Sequence, residues 1–229
     1  MEENLIQLTA SWERYSGQEL SVVAANHIFQ IDVGAHAATI DYGSVLSAKE
    51  LEKSARFFRQ EDRENYIVRK YALRQLLGKF LQQHPADIQF HQQANKKPAI
   101  RNLEFNTSHT KNGIAIAISQ VPIGIDIEYI DPYFNYTDIL HQCFSTAELK
   151  FIDTGADPRL NFYILWTRKE ALLKATGQGL IDDLKQIDTL NSFNGRVFTL
   201  YSYRINNIIL SASWIQKNNP LVKLWHYTL

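Results

Sequence analysis

The stretch Ile123-Gly124-Ile125-Asp126-Ile127-Glu128 decides how this chain is expected to fold, because apolar and other residues alternate strictly along it. Neighbouring side chains of a β-strand point to opposite faces, so the three isoleucines would enter a core while Asp126 and Glu128 share the other face. Two like charges side by side repel each other, and a hard cation would relieve that repulsion. Gly124 leaves space on the same face. The simpler alternative is an ordinary exposed polar face.

Helical and extended patterns lie on both sides of this strand. Helices are predicted from residue 47 to about 59, with Ser47 and Glu50 as a capping box, and over 65–82, 146–153 and 159–176. Strands are predicted over 22–25, 27–31, 113–118, 123–129, 197–200, 208–210 and 222–225. The mixture predicts an α/β (α+β) protein.

A faint internal repeat predicts two related halves. Arg69-Lys70-Tyr71-Ala72-Leu73 resembles Arg168-Lys169-Glu170-Ala171-Leu172, and each copy is followed about forty residues later by a strand that opens with asparagine. The chain would then divide into an N-terminal half, residues 1–122, and a C-terminal half, residues 123–229. Only the second copy carries a carboxylate, Glu170, where the first has Tyr71, so a site built from both halves would be asymmetric.

The predicted helix over 159–176 presents one stripe of functional side chains. Trp166, Glu170 and Lys174 are spaced four residues apart and therefore share one side of the helix. A carboxylate and a lysine in this arrangement could hold a metal ion and a phosphate side by side. The alternative is a Glu170–Lys174 surface ion pair, worth roughly 0.3–0.5 kcal/mol.

Three further segments could contact a ligand. The small polar run Asn106-Thr107-Ser108-His109-Thr110 precedes a buried strand, where it could grip a phosphate or sugar or form a turn with hydrogen-bonding caps. Ser108 and His109 would point apart in an extended chain, so they are not a nucleophile–base pair. Lys96-Lys97-Pro98 is a basic loop, either a phosphate contact or solvated. Glu148 is either a general base or a helix N-terminal carboxylate that the dipole favours.

Composition argues against several classes of partner. Lys+Arg and Asp+Glu both number 24 in 229 residues, so no net positive field exists to hold nucleic acid or an anionic membrane. The lone Cys143 fits a reducing compartment. The acidic N-terminus leads into no apolar segment, and the apolar runs are too short to cross a bilayer. We expect a cytoplasmic protein without a nucleic-acid or membrane partner.

Five short motifs occur in a fixed order. They are Asn-Thr-Ser-His from 106, Gly-Ile-Asp-Ile-Glu from 124, Phe-Ser-x-x-Glu from 144, Trp-x-x-Lys-Glu-Ala-x-x-Lys from 166 and Gly-x-Gly-Leu from 177. Together they resemble the signature of the surfactin-synthetase-type 4′-phosphopantetheinyl transferases, over residues 53–180. The resemblance implies two similar α/β halves related by a pseudo-twofold axis, each with a small, mostly antiparallel sheet packed on helices. It also implies a monomer.

The resemblance implies a reaction and a role for each motif residue. The phosphopantetheine arm of the substrate coenzyme A would pass to a serine of an apo acyl or peptidyl carrier protein. Asp126, Glu128 and Glu170 would bind Mg²⁺, and Mn²⁺ accepts the same oxygen ligands. Glu148 would be the general base, and Lys174 would hold the pyrophosphate with help from Lys169. The implied coenzyme A contacts are Lys53, Arg56, Arg63, Lys97, Pro98, Ser108, His109 and Lys174.

One departure from the family pattern concerns the nucleotide. Many members carry an arginine shortly after an acidic pair, and here Asn65 stands at that position. Arg63, Arg56 or Arg59 could take its place. Two other functions use the same residues: a Mg²⁺-dependent nucleotide pyrophosphohydrolase, which attacks with water, and a non-catalytic module that binds coenzyme A or a carrier.

Overall fold

The computed structural model describes residues 10–92, 97–177, 179, 183–190, 198–215 and 221–229. The predictions that involve Lys96, Gln178, Leu180 and Val197 lie outside these residues. The α-helices are α1 (Ala48–Ala55), α2 (Gln60–Leu81), α3 (Thr137–Cys143), α4 (Thr146–Thr154) and α5 (Pro158–Thr176). The strands are β1 (Glu13–Tyr15), β2 (Ala25–Asp32), β3 (His91–Gln92), β4 (Pro98–Ala99), β5 (Glu104–Thr110), β6 (Gly113–Ser119), β7 (Ile123–Tyr129), β8 (Phe198–Ile205), β9 (Ile208–Ile215) and β10 (Leu221–Tyr227).

The protein has the predicted α/β fold, with two principal sheets. The first has the strand order β1-β10-β2-β6-β5, in which β10 runs parallel to β1 and β2 while β2, β6 and β5 alternate in direction. The second is antiparallel and has the order β7-β9-β8. Strands β3 and β4 form a separate short pair.

The two sheets pack against each other, with one long helix on the outside of each. Every residue of β6 is buried. Its isoleucines contact the α2 side of the core, while Ala115 and Ala117 face the isoleucines of β7. Leu73, Leu76 and Leu77 of α2 are at most 2% exposed, and burying each such side chain contributes roughly 1.5–3 kcal/mol. On the other side, α5 covers β7 and β9. Helix α2 therefore backs the first sheet, and helix α5 backs the second.

The C-terminal strand crosses the predicted boundary between halves. The prediction placed all of residues 123–229 in the second half, but β10 lies between β1 and β2 in the first sheet. Trp225 fixes it there, because its Nε1 donates to His27 Nδ1 at 3.1 Å and its ring stacks near Phe29. An alternating pattern identifies a strand but not the sheet that it joins, so this placement was not available from the pattern.

Several local predictions are confirmed, one is wrong, and one open alternative is decided. Ser47 and Glu50 form the predicted capping box of α1. Gly177 ends α5 in the left-handed conformation, with φ of 70°. Residues 22–24 form a turn instead of a strand, because Ala25 N–H returns to Ser21 O at 3.3 Å. The polar run 106–110, predicted either to grip a ligand or to form a turn, is extended and makes up most of β5, which excludes the turn. In the described residues no helix is long and apolar enough to span a membrane.

Candidate active site

The candidate site lies where the edge strands β5 and β7 of the two sheets meet. Along β5, Asn106, Ser108 and Thr110 lie on one face, since each pairs with a residue of β6 that faces the second sheet. Strand β7 has no neighbouring strand on that edge, and the three side chains form hydrogen bonds to its otherwise unpaired groups. The contacts are Asn106 Oδ1 accepting from Ile125 N–H at 3.0 Å, Ser108 Oγ donating to Asp126 Oδ1 at 2.8 Å, and Thr110 Oγ1 accepting from Tyr129 N–H at 3.0 Å.

Strand β7 divides its side chains between core and site as its alternation predicts. The three isoleucines are fully buried. Asp126 and Glu128 share the face toward α5, where Asp126 is 4% exposed and Glu128 is half-buried. The strand and the shared face are confirmed, and the carboxylates are not an ordinary exposed polar face.

Gly124 allows helix α5 to lie directly on this face. A Cβ atom at Gly124 would lie 2.0 Å from the carbonyl oxygen of Ala171 and 2.4 Å from the backbone nitrogen of Ala175. Because both are backbone atoms of the helix, no side-chain rotation could relieve the overlap. A side chain at this position would therefore hold α5, and the stripe that it carries, away from the carboxylates of β7.

Helix α5 presents a narrow polar stripe to the site. From Phe162 to Ala175 every residue is buried except Trp166, Glu170 and Lys174, which are half-exposed. The predicted stripe is thus the one opening in an otherwise enclosed stretch of the helix. Lys174 does not pair with Glu170 among the described ion pairs; its Nζ lies 2.7 Å from Asp126 Oδ1 and donates to Ser108 Oγ at 3.2 Å.

The surroundings of Glu128 and Glu170 favour the neutral, protonated form of both side chains. Burial and the adjacent charge of Asp126 raise the pKa of Glu128 to about 7, against the lowering effect of Lys174. The same two causes raise the pKa of Glu170. An added positive charge would favour the ionised form of both groups. Asp126 also has one buried oxygen, Oδ2, with no hydrogen-bond partner among the described residues.

The donor set suits a hard divalent cation. Among the described residues no three histidine, cysteine or carboxylate side chains converge closely enough to enclose a metal ion as they stand. The Lys174 ammonium instead supplies the positive charge beside Asp126. The unpartnered Asp126 Oδ2 and the repelled carboxylates of Glu128 and Glu170 are oxygen donors of the kind that Mg²⁺ prefers, usually with waters and ligand oxygens in addition.

Two clefts open beside the carboxylates. One, of about 320 Å³, lies at the Glu128 end and has a mainly aromatic wall that includes Phe134, Phe162 and Trp166. The other, of about 280 Å³, contains Glu170 and Lys174 together with Lys97. Lys97 Nζ donates to the Lys174 carbonyl at 3.3 Å, so two predicted phosphate-binding lysines meet in this second cleft.

Glu148 lies apart from the clefts and is fully buried. Its Oε1 accepts from both the N–H and the hydroxyl of Thr189 at 3.0 Å, and its Oε2 accepts from Ser145 N–H at 3.0 Å. Oε2 also lies 2.7 Å from Nζ of Lys169, which is 1% exposed. Glu148 was expected to take a proton from an incoming serine. Its carboxylate is instead enclosed by hydrogen-bond donors of the protein. Lys169, which was expected to help hold the pyrophosphate, likewise points into the core.

The remaining predicted coenzyme A contacts fall in different places. Lys53 and Arg56 border one groove on α1, where Arg56 pairs with the exposed Glu52. Arg63 borders another groove, with Phe57 and Phe58. His109 extends from β5 away from Ser108, as predicted for neighbours in a strand. Pro98 lies in β4, one residue after Lys97.

Sequence reasoning missed the part that Asn106 and Thr110 play in the site. Their spacing from Ser108 is two residues on each side, which is the strand period, and the polar residues of 124–128 have the same period. Two matched polar faces of this kind were a signal that β5 and β7 lie side by side. The run was instead interpreted as either a ligand contact or a turn, because its residues are small and polar, and its pairing with 124–128 was not considered.

The fold and site define an α/β protein of two packed sheets, each backed by a long helix, with a carboxylate-rich site where edge strands of the two sheets meet. The model of the 4′-phosphopantetheinyl transferase superfamily matches residues 122–220, and that of the 4′-phosphopantetheinyl transferase N-terminal region matches residues 37–121. The chain is 32% identical over 159 residues to the 4′-phosphopantetheinyl transferase ffp of Bacillus subtilis, an alignment that covers 67% of this chain and 70% of the relative. The chain belongs to the 4′-phosphopantetheinyl transferase family.

Two cyanobacterial relatives are similar at the same level. A putative 4′-phosphopantetheinyl transferase of Synechocystis is 32% identical over 154 residues, which are 64% of this chain. The 4′-phosphopantetheinyl transferase HetI of Nostoc is 32% identical over 149 residues, which are 61% of this chain. The chain spans 63% of the length of each, slightly under two thirds.

Proposed function

We propose that this protein transfers the 4′-phosphopantetheine arm of coenzyme A to a serine of an apo acyl or peptidyl carrier protein. The products are the holo-carrier and adenosine 3′,5′-bisphosphate. The observation that supports this most strongly is the meeting of Asp126, Glu128, Glu170 and Lys174 between β7 and α5, beside two clefts. Family membership supports the same reaction.

The proposed reaction is an in-line displacement at phosphorus. The carrier serine oxygen forms a bond to the β-phosphorus of coenzyme A, and the bond from that phosphorus to the bridging oxygen of the pyrophosphate breaks. Lys174 would move from Asp126 to a pyrophosphate oxygen, and Lys97 lies within the same cleft. Positioning and charge neutralisation would then provide most of the rate enhancement.

A divalent cation, Mg²⁺ or Mn²⁺, would be held by Asp126, Glu128 and Glu170. When bound, it would neutralise charge on the pyrophosphate. The chain's own contribution would be to keep the three carboxylates ionised and close together despite their repulsion. Ser108 and Thr110 would help, since both hydroxyls lie within 3.4 Å of a site carboxylate oxygen.

For Glu148 and Lys169 we propose a positioning role in place of acid–base chemistry. Their buried ion pair joins the start of α4 to α5 and leaves neither group open to a cleft. Lys169 immediately precedes Glu170, so fixing the lysine in the core directs the glutamate toward the site. The general base would then be a group that the cleft exposes to the serine.

We also propose that the protein acts as a monomer, because one chain supplies both sides of the site. We further propose that it acts in the cytoplasm, without a nucleic-acid or membrane partner.

The transfer is tested by the intact mass of an apo carrier protein incubated with this protein, coenzyme A and Mg²⁺, with EDTA as control. We expect a metal-dependent gain of one phosphopantetheine group. Release of adenosine 3′,5′-bisphosphate without a carrier would instead indicate a hydrolase, and no gain with coenzyme A still bound would indicate a binding module.

A further inference from the structure

A chain of three buried hydroxyl groups joins helix α5 to the second sheet. Thr167 Oγ1 of α5 lies 2.7 Å from Ser211 Oγ of β9, and Ser211 Oγ lies 2.9 Å from Ser202 Oγ of β8. Each of the three residues is at most 1% exposed. Buried hydroxyl groups are costly unless they are hydrogen-bonded, so a chain of this kind constrains how the elements that carry it can pack.

The chain has one order in which every hydroxyl proton has an acceptor. Thr167 Oγ1 donates within its own helix, to Tyr163 O at 2.9 Å or to Ile164 O at 3.1 Å. Its oxygen can then accept from Ser211, and Ser211 Oγ in turn accepts from Ser202. In the reverse order, the Ser202 proton would find no acceptor in the part of the chain that the structure describes. Loss of the Thr167 hydroxyl would therefore leave Ser211 donating to no group.

The hydroxyl chain lies next to the carboxylates of the candidate site. Ser211 is the cross-strand partner of Asp126, and it faces α5 because its neighbours in β9 belong to the core between the sheets. Thr167 precedes Glu170 by three residues, so the two are neighbours on the surface of the helix. The chain thus connects the row of the sheet that contains Asp126 with the helical turn that leads to Glu170.

Where α5 lies directly on β7, the packing groups are small. Gly124 has no side chain, and backbone atoms of Ala171 and Ala175 lie over it. Such a contact permits a close approach, but small groups do not interlock as large side chains do, and they resist a shift along the helix axis less firmly. A directional hydrogen bond from the same helix to the sheet supplies the missing constraint.

We propose that Thr167 and Ser211 are positioning residues of the transfer reaction, because their hydrogen bond fixes α5 on the sheet and thereby sets the distance between Glu170 and Asp126. The inference rests on the proposed function in one respect, that these carboxylates bind the divalent cation. Both hydroxyls are buried under α5 and act through the elements that carry the metal ligands, not through contact with the reacting atoms. Residues outside the ligands of a metal site commonly affect its affinity.

Two substitutions at Thr167 separate the hydroxyl from the rest of the side chain. Thr167→Val keeps the shape and removes the hydroxyl, and it should raise the dissociation constant for Mn²⁺, measured by electron paramagnetic resonance without coenzyme A, by about tenfold. Thr167→Ser keeps the hydroxyl and removes a methyl group, so it should bind Mn²⁺ like wild type although it unfolds at a lower urea concentration. A purely structural role would change Mn²⁺ affinity in both variants or in neither.

Two serines of β9 provide a matched comparison. Ser211 and Ser213 lie two residues apart, on the same face of the strand, and both are fully buried. Ser213 Oγ has no hydrogen-bond partner among the described residues. Ser211→Ala should weaken Mn²⁺ binding as Thr167→Val does and should lower kcat at saturating coenzyme A, whereas Ser213→Ala should match wild type in both measurements.

The outcomes separate this inference from the proposed function. Wild-type Mn²⁺ affinity in Thr167→Val and Ser211→Ala would overturn the positioning role while leaving the metal site and the transfer in place. Equal weakening in Ser211→Ala and Ser213→Ala would also overturn it, since the hydrogen bond would not be the cause. If Asp126→Asn bound Mn²⁺ as tightly as wild type, the metal assignment of the proposed function would fall, and this inference with it.

Discussion

Lys174 Nζ lies 2.7 Å from Asp126 Oδ1, so a lysine of α5 occupies the position beside the buried carboxylate that a divalent cation would also favour. The ammonium and the cation would compete for the same oxygen. Asp126 Oδ2 has no described partner, which leaves the carboxylate able to bind a second positive group. The competition makes a testable distinction between a metal site and a plain ion pair.

Removing the competing ammonium should tighten cation binding. In Lys174→Met, we expect the dissociation constant for Mn²⁺, measured by electron paramagnetic resonance without coenzyme A, to fall below that of wild type by about severalfold, because the Asp126 carboxylate no longer has a charged partner. Asp126→Asn should bind Mn²⁺ more weakly than either protein. Equal Mn²⁺ affinity in all three would contradict the metal assignment of this carboxylate.

The same carboxylates should be required for turnover. Glu170→Gln and Asp126→Asn keep the size of each side chain but remove its charge, and each should reduce kcat by about a hundredfold or more, the scale of one lost electrostatic contact at a reacting phosphate. The measurement is the rate of mass gain of the carrier protein. Asp153→Asn, an exposed change on α4, serves as control. A near wild-type rate in Glu170→Gln would remove Glu170 from the site.

Gly124→Ala should separate the helix from the strand. The added methyl would overlap backbone atoms of Ala171 and Ala175, which cannot rotate away. We expect urea denaturation to show a free energy of unfolding lower by about 1–3 kcal/mol or more, with loss of transfer activity. Gly113→Ala is the matched control, because its methyl would come closest to the flexible end of Ile208, at 3.3 Å, and would meet Ile127 Cδ1 and Thr110 O at ordinary contact distances of 3.5 and 3.6 Å. Equal stability of the two variants would contradict the close approach of α5.

The parts of the site that follow from a single element could be predicted, and those that depend on two distant segments could not. The shared face of Asp126 and Glu128 and the stripe through Glu170 follow from the periods of a strand and a helix. The enclosure of Glu148 depends on Thr189, which is 41 residues away, and the location of β10 depends on β2. Local sequence carries no information about such contacts until the segments are known to meet.

Variants of Glu148 can distinguish a positioning role from a role in proton transfer. In Glu148→Gln the buried Lys169 loses its ionic partner, and we expect a free energy of unfolding lower by about 3–5 kcal/mol, as for other broken buried pairs. The double variant Glu148→Gln/Lys169→Met removes both charges and should recover much of that loss. If Glu148 positions α5, the double variant should also regain transfer activity, measured as kcat.

A general base predicts a different pattern for the same variants. Stability would return in Glu148→Gln/Lys169→Met, but kcat would stay about a hundredfold or more below wild type, since no carboxylate is left to take the proton. The pH profile provides a second readout, because loss of a base alters the acidic limb of kcat whereas loss of a positioning contact does not. Recovery of stability without recovery of kcat would therefore reject the positioning role.

Acid should destabilise the protein through Glu50, which joins α1 to α2. Glu50 Oε2 lies 2.8 Å from Arg74 Nε, and its burial alone would raise its pKa. The hydrogen bond from Ser47 and the charges of Arg74 and Lys70 outweigh burial, so the pKa is lowered below the usual 4.5. A depressed folded-state pKa contributes stability that is fully present above the unfolded-state pKa and is lost as the pH falls through the folded-state value.

Glu50→Gln should therefore cost stability at neutral pH and little in acid. We expect the difference in free energy of unfolding between wild type and variant, measured by urea denaturation, to be constant from pH 7 to about pH 5 and to shrink steadily below about pH 4. Exposed Glu52, two residues after Glu50 in α1, provides the control Glu52→Gln, whose difference from wild type should be near zero throughout. A Glu50→Gln difference that stayed constant into acid would mean that the carboxylate keeps its charge-independent contacts and that the ion pair adds no stability.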